Sequence, residues 1–248
     1  MTAVISRELP IQLAIETTGR SGSAVLMSGE DVLMQRQIGE QIRTAAAIGP
    51  VLDEMLAWSR AEKKTLDFVS VAAGPGSFTG LRIGVTAAKM LSYALQLPLV
   101  AVDSLASVAA VVFSETPNVD VLRVGLDAYR GQVFTGQFSR GEILPDLTAI
   151  PSTWTPCPPS VDIVSGDVWG ELLTSADESQ VSIAGDSKPF AKYAARLQPR
   201  TAVDAFGVGL VALRAARQSM FTDPFALVPR YLRPSAAEEK AAEEKADA

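Results

Sequence analysis

The chain has 248 residues, 48% of them hydrophobic, a formal charge of −6, one cysteine and no histidine. That length and hydrophobic content suit one large domain or two modest ones with a core that needs no staples. The missing histidines exclude a Ser-His-Asp triad, a Cys-His pair and any histidine-ligated metal, and the lone Cys157 excludes an internal disulfide and a cysteine zinc site. An acidic chain is a poor unaided grip on a phosphate backbone. Arg7, Glu8 and Pro10 precede the first apolar run, unlike a secretory signal, and no stretch nears the roughly 20 apolar residues of a membrane span. A cytoplasmic location without membrane contact is expected.

In chain order, residues 11–15, 23–27 and 32–38 read as a three-stranded meander with turns at 17–22 and 29–31. Ile48, Val51, Leu52, Met55 and Leu56 then recur at helical spacing. The continuous apolar run 66–73 reads as a central parallel strand. A helix is expected over 79–95, a strand over 97–102, and a helix capped by Asp103 or Ser104 through about 113.

The pattern then restarts with strands over 121–127, 132–138 and 142–150. LAIETTGRSGSAVL and VGLDAYRGQVFTGQF share one design of buried strand, carboxylate, tight turn and strand, with Glu16 and Asp127 as the carboxylates. This weak internal repeat suggests two related lobes: 1–102, and 103–234 with its last helix packing back on the first. The Pro-rich segment 155–160 reads as a surface loop and 161–165 as a short strand. Helices are expected over 187–197 and 204–219. Residues 235–248 repeat AAEEK without an apolar face and are expected to form a charged, disordered tail.

The stretch Gly74-Pro75-Gly76-Ser77-Phe78-Thr79-Gly80-Leu81-Arg82 joins the central strand to a helix. Glycines allow a sharp turn and close approach, and a helix start offers free N–H groups. Phosphate binding and a purely structural turn both fit. The structural turn is the simpler, since the Gly-Lys-Ser/Thr ending of a P-loop is missing. The helix that follows has two apolar stripes. One is Leu81, Gly84, Val85, Ala88 and Leu95; the other is Ile83, Ala87, Met90 and Ala94. A narrow polar remainder holds Arg82, Thr86, Lys89 and Tyr93. Two apolar faces imply burial on two sides, against the helix's own sheet and against a second element or another chain.

AAGPGSFTGLRIG, with LDFVSV before it and LPLVAVDSLASVA after it, closely resembles the TsaB (YeaZ) family. So do LAIETT, LDAYRGQVF and VPRYLRP, and the resemblance covers most of residues 11–234. It implies an actin-like (ASKHA, ribonuclease H-like) α/β fold of two lobes, each a mixed sheet flanked by helices. The implied role is that of a non-catalytic accessory subunit in making N6-threonylcarbamoyladenosine next to the anticodon of tRNAs reading ANN codons. The implied partners are the catalytic TsaD subunit, met through first-lobe helices, and the TsaE ATPase, with tRNA reached through the complex and a homodimer open to the isolated chain. On this reading the interface and motif residues are Gly74, Pro75, Gly76, Ser77, Phe78, Thr79, Gly80, Arg82, Ile83, Ala87, Met90 and Ala94. ATP with Mg and metal belong to the partner subunits, and no cofactor to this chain alone. The family also carries a glycoprotease-like label, against which the absence of histidine argues.

Glu16 stands where the family's opening acid is usually Asp, Thr44 where many members have His, and Tyr129 and Gln132 where Arg and Glu are common. No polar cleft contact is therefore carried over. In an actin-like fold Glu16 and Asp127 would face metal-nucleotide; the simpler reading makes them turn acids capping local amides. Arg20 and Tyr129 crowd the turns that would have to cradle phosphate. The alternative from another class is an autonomous actin-like small-molecule kinase, with Glu16 or Asp127 serving metal or base.

Overall fold

The computed structural model describes residues 7–19, 21–39, 44–158, 160–175, 181–185 and 203–233. The expected helix over 187–197, Arg20 and the tail from residue 235 lie outside them.

Strands β1 (Ile11–Glu16), β2 (Gly22–Ser28) and β3 (Asp31–Ile38) form the meander. Helix α1 (Thr44–Ala61) leads to β4 (Phe68–Gly74), then α2 (Phe78–Leu95) to β5 (Leu99–Asp103). The sheet order is β3-β2-β1-β4-β5, with β1 antiparallel to β2 and parallel to β4. Every residue of β1 and β4 is buried, as central strands covered on both faces require.

Helix α3 (Ser104–Glu115) opens the second lobe, and Asp103 caps it by accepting from the Leu105 and Ala106 amides. The design repeats in β6 (Val121–Asp127), β7 (Gln132–Ser139), β8 (Asp162–Ser165) and β9 (Ser182–Gly185), in the order β8-β7-β6-β9. β6 is antiparallel to β7 and parallel to β9, as β1 is to β2 and β4. The faint sequence repeat is thus realised as one strand topology used twice, the two-lobed ribonuclease H-like arrangement.

The expected strand over 142–150 is corrected. Residues Arg140–Ile143 form the short helix α4, held by a capping box in which the Ser139 hydroxyl accepts from the Glu142 amide while Glu142 accepts from the Ser139 amide. The third strand of this meander is β8, paired antiparallel with β7. Beyond it, Gly166–Ser175 is helix α5. Its Trp169 is fully buried on Gly125, where an added Cβ would stand 2.6 Å from the indole.

α1 and α2 cover one face of the first sheet and α6 (Ala205–Arg217) the other. α3 lies between α6 and the second sheet, whose outer face carries α5. One apolar core accordingly runs from Ala14, Val25 and Met27 through α6 and α3 to Leu122, Val124 and Phe134. Among the described residues no helix is long and apolar enough to cross a membrane.

Candidate functional site

Glu16 ends β1 and Asp127 ends β6, equivalent positions in the two lobes. The Glu16 carboxylate is 1% exposed and accepts from the Thr18 amide and, at 2.7 Å, from its hydroxyl. Burial pushes its pKa up to about 7 against these hydrogen bonds. Asp127 accepts from the Tyr129 amide at 2.8 Å. Each acid therefore caps the amide two residues on. Tyr129, Arg130 and Gly131 follow Asp127 with φ of 62°, 50° and 74°, a left-handed turn built mostly without glycine.

The glycine-rich turn is filled by its own chain. A Cβ at Gly76 would stand 2.6 Å from the Cβ of Thr18, and one at Gly80 would overlap the Thr17 carbonyl oxygen. The Ser77 amide donates to the Thr18 carbonyl at 2.8 Å, and the Thr17 hydroxyl to the Gly80 carbonyl at 2.7 Å. Gly74, at φ +116°, lies against the Arg230 carbonyl instead. The glycines serve the approach of Thr17 and Thr18 to α2, so these residues do not fit a phosphate cradle. Thr17 and Thr18 escaped the sequence reading because only the fold sets them against a motif some 60 residues on.

Helix α2 is capped by Ser77 and buries Gly80, Leu81, Gly84, Val85, Ala88 and Ser92 on the sheet. Leu95, assigned by spacing to this inner stripe, is 40% exposed at the helix end, a correction to that assignment. In the second stripe Ile83 and Ala87 are partly buried, while Met90 is 66% exposed and Ala94 is open.

The polar remainder has an occupant that the sequence did not reveal. A strap of residues 222–233 runs antiparallel along it. Tyr93 meets the Phe225 ring edge-on, the Lys89 ammonium donates to the Leu227 carbonyl at 3.0 Å, and Arg82 Nε donates to the Tyr231 hydroxyl at 3.2 Å. Phe78 stacks on Tyr231 with ring centroids 4.7 Å apart, and the Arg82 guanidinium covers Phe78. The strap is pinned at both ends and in the middle. The Thr222 amide donates to the Leu99 carbonyl, Arg230 pairs with Asp103 at 3.0 Å, and Arg233 donates to the Ala128 carbonyl at 2.6 Å. The only sequence signal for it was the segment VPRYLRP.

A separate hollow of about 410 Å³ opens between the C-terminal ends of α1 and α2 over Leu56, Leu66 and Leu97; none of the predicted site residues lines it.

Residues 42–149, which include α1, α2 and both ends of the turn, match the family model described as TsaD, tRNA N6-adenosine threonylcarbamoyltransferase. The tRNA threonylcarbamoyladenosine biosynthesis protein TsaB of Bacillus subtilis (strain 168) is 29% identical over 238 residues, which cover 92% of this chain and 96% of that protein. Over nearly its whole length the chain resembles the TsaB (YeaZ) family. The Escherichia coli (strain K12) TsaB aligns over a shorter span, 28% identical over 130 residues that cover 52% of this chain and 55% of that protein. A Pseudomonas aeruginosa crystal structure, described as an uncharacterized protein with similarity to peptidase YEAZ, superposes with a TM-score of 0.71. It covers 91% of this chain and 100% of its own at 19% identity, a likeness of fold.

Proposed function

We propose that this chain is an accessory subunit for threonylcarbamoyl transfer to the adenosine next to the anticodon of tRNAs reading ANN codons. It acts by pairing with a catalytic TsaD subunit and recruiting a TsaE ATPase, in the cytoplasm, and meets tRNA through the complex. It performs no chemistry and holds no cofactor of its own; ATP with Mg and metal belong to its partners. The biosynthetic role is supported by the likeness to TsaB over nearly the whole chain. The non-catalytic part is supported by the spent cleft, where Glu16 and Asp127 cap local amides and the turn glycines contact Thr17 and Thr18.

The observation that carries the reading is the outer face of α2, where Ile83, Ala87, Met90 and Ala94 line up and Met90 is 66% exposed on an otherwise ordinary amphipathic helix. Docking there would hold the partner's lobes in a competent arrangement, a population shift drawn from interface energy. An autonomous kinase would need open phosphate turns, and the glycine-rich turn is not one.

The test is reconstitution with purified TsaD, TsaE, the adenylate-forming synthase, tRNA, threonine, bicarbonate and ATP. Omitting this chain is expected to abolish modification. The double variant Glu16→Gln, Asp127→Asn is expected to retain it nearly in full. If that variant stays folded and paired but modifies no tRNA, the cleft has a chemical role and the scaffold reading fails.

A further inference from the structure

We propose that the hollow between the C-terminal ends of α1 and α2 binds a small organic carboxylate with an apolar body. The inference stands apart from the pairing reading above, since none of the interface residues named there lines this space.

The walls are in place before any ligand arrives, because α1 and α2 end in the same way. Lys63 and Gln96 both take a φ of 54°, and the chain folds back on each helix end through a matched pair of bonds. The Lys63 amide donates to the Arg60 carbonyl at 3.2 Å and the Lys64 amide to the Ser59 carbonyl at 2.8 Å. Likewise the Gln96 amide donates to the Tyr93 carbonyl at 3.4 Å and the Leu97 amide to the Ser92 carbonyl at 3.0 Å. A serine hydroxyl crosses each turn as well, Ser59 donating to the Lys64 carbonyl and Ser92 to the Leu97 carbonyl. The segment after α1 is tied from a third side, where Arg7 donates to the Thr65 carbonyl and pairs with Asp67, both at 3.2 Å. Walls fixed in this way lower the ordering cost of binding.

The floor is apolar. Leu56, Leu66, Leu95 and Leu97 line it. Leu95, which leaves the inner stripe of α2 with 40% of its surface exposed, opens into this space. A volume of about 410 Å³ is in the range of small-molecule sites.

The rim sets the charge of the ligand. Arg60, Lys63 and Lys64 border the same space, and no acid lines it. Among the described residues none of these three cations is in an ion pair. Nor are they needed to cap the helices, whose last carbonyls already accept from the backbone amides of the two turns. Three uncommitted cations in a chain of net charge −6 attract an anion. The partial negative charge of two helix ends weighs against a compact multivalent anion such as phosphate. A single carboxylate at the rim, with its hydrocarbon on the leucines, suits both the floor and the rim.

The experiment titrates the full chain by calorimetry with octanoate, octylammonium and sulfate, the first two below the concentrations at which they self-associate, and records melting temperatures. Octanoate is expected to bind at one site and the other two not to bind. Arg60→Glu with Lys64→Glu is expected to weaken octanoate binding at least about tenfold, and Leu95→Glu to abolish it, both with melting temperature unchanged. Octylammonium binding as tightly as octanoate would overturn the charge assignment, and sulfate doing so would overturn the role of the apolar floor. No octanoate binding to wild type, or wild-type affinity in both variants, would overturn the proposal while leaving the pairing reading untouched. Should a variant melt early, Lys64→Gln and Leu95→Ser repeat the measurement, and wild-type affinity in both of these, folded, counts against the hollow.

Discussion

Glu16 shows how a single position changes meaning between sequence and fold. Its place at the end of an apolar strand is legible, and so is the turn after it. Its burial is not, and neither is the charge of Asp204, nearly 190 residues on, which adds to the upward shift that burial produces. With its pKa raised from the ordinary 4.5 to about 7, the folded chain keeps a proton that the unfolded chain has lost between those values. The contribution of this acid to stability is therefore full below about pH 4.5 and is lost as pH rises through about 7. Glu16→Gln keeps an oxygen for the Thr18 donors and removes the ionisation. We expect it to match wild type near pH 4 and to exceed it by up to about 3 kcal/mol at pH 8, measured by urea unfolding across that range. Parallel curves for the two proteins would show that Glu16 does not titrate there. Gly80 is the complementary case. Its need for a missing side chain was legible as turn chemistry, but the reason is contact with Thr17 rather than a ligand. Gly80→Ala is expected to cost about 1–3 kcal/mol without altering the chemistry of the complex, read from denaturant midpoints and from reconstituted modification.

At the scale of elements, periodicity located the strands and helices wherever a residue's partner lies close in sequence. The meander, the stripe of α1, the apolar run of β4 and the Asp103 cap are all local patterns. It failed at 142–150, where apolar residues suggested a strand and a capping box makes a helical turn instead. It also misplaced the polar stripe of α2. Arg82, Lys89 and Tyr93 look like a solvent face, yet a segment some 140 residues away lies on them. The strap depends on Asp103, which is buried and whose pKa burial pushes up to about 6 even beside Arg230 and the α3 amides. Arg230→Ala would leave that carboxylate with amides alone. A loss of about 2 kcal/mol is expected at pH 8, below the cost of a wholly buried pair because Arg230 is partly exposed. At pH 5, where Asp103 is protonated in the folded chain, the loss should shrink. Chemical denaturation at the two pH values checks this, and an equal loss at both would remove the ion pair from the explanation.

For the molecule as a whole, the decisive feature is that the two lobes, beside a core cluster of their own each, share a further core between them. α3 and α6 lie between the sheets, and the core they complete reaches Met27 on one side and Phe134 on the other. Arg214, on α6, ties the same layer together: it donates to Glu30 at the β2–β3 turn of the first lobe and to the Pro145 carbonyl of the second. The sequence suggests two lobes with the last helix packing back on the first; what it does not tell is that the same helix packs on α3 of the second. That arrangement makes independent melting of the lobes unfavourable, because exposing either sheet strips apolar cover from the other. One cooperative transition is expected in calorimetry, with agreement between calorimetric and van't Hoff enthalpies. Leu210 on α6 is 2% exposed within this shared core. Leu210→Ala is expected to cost about 2–5 kcal/mol and to lower the temperature of that single transition, with near-UV signals from Trp58 in the first lobe and Trp169 in the second falling together. Two separated transitions in the variant, or a loss confined to one tryptophan, would show that the lobes fold as independent units.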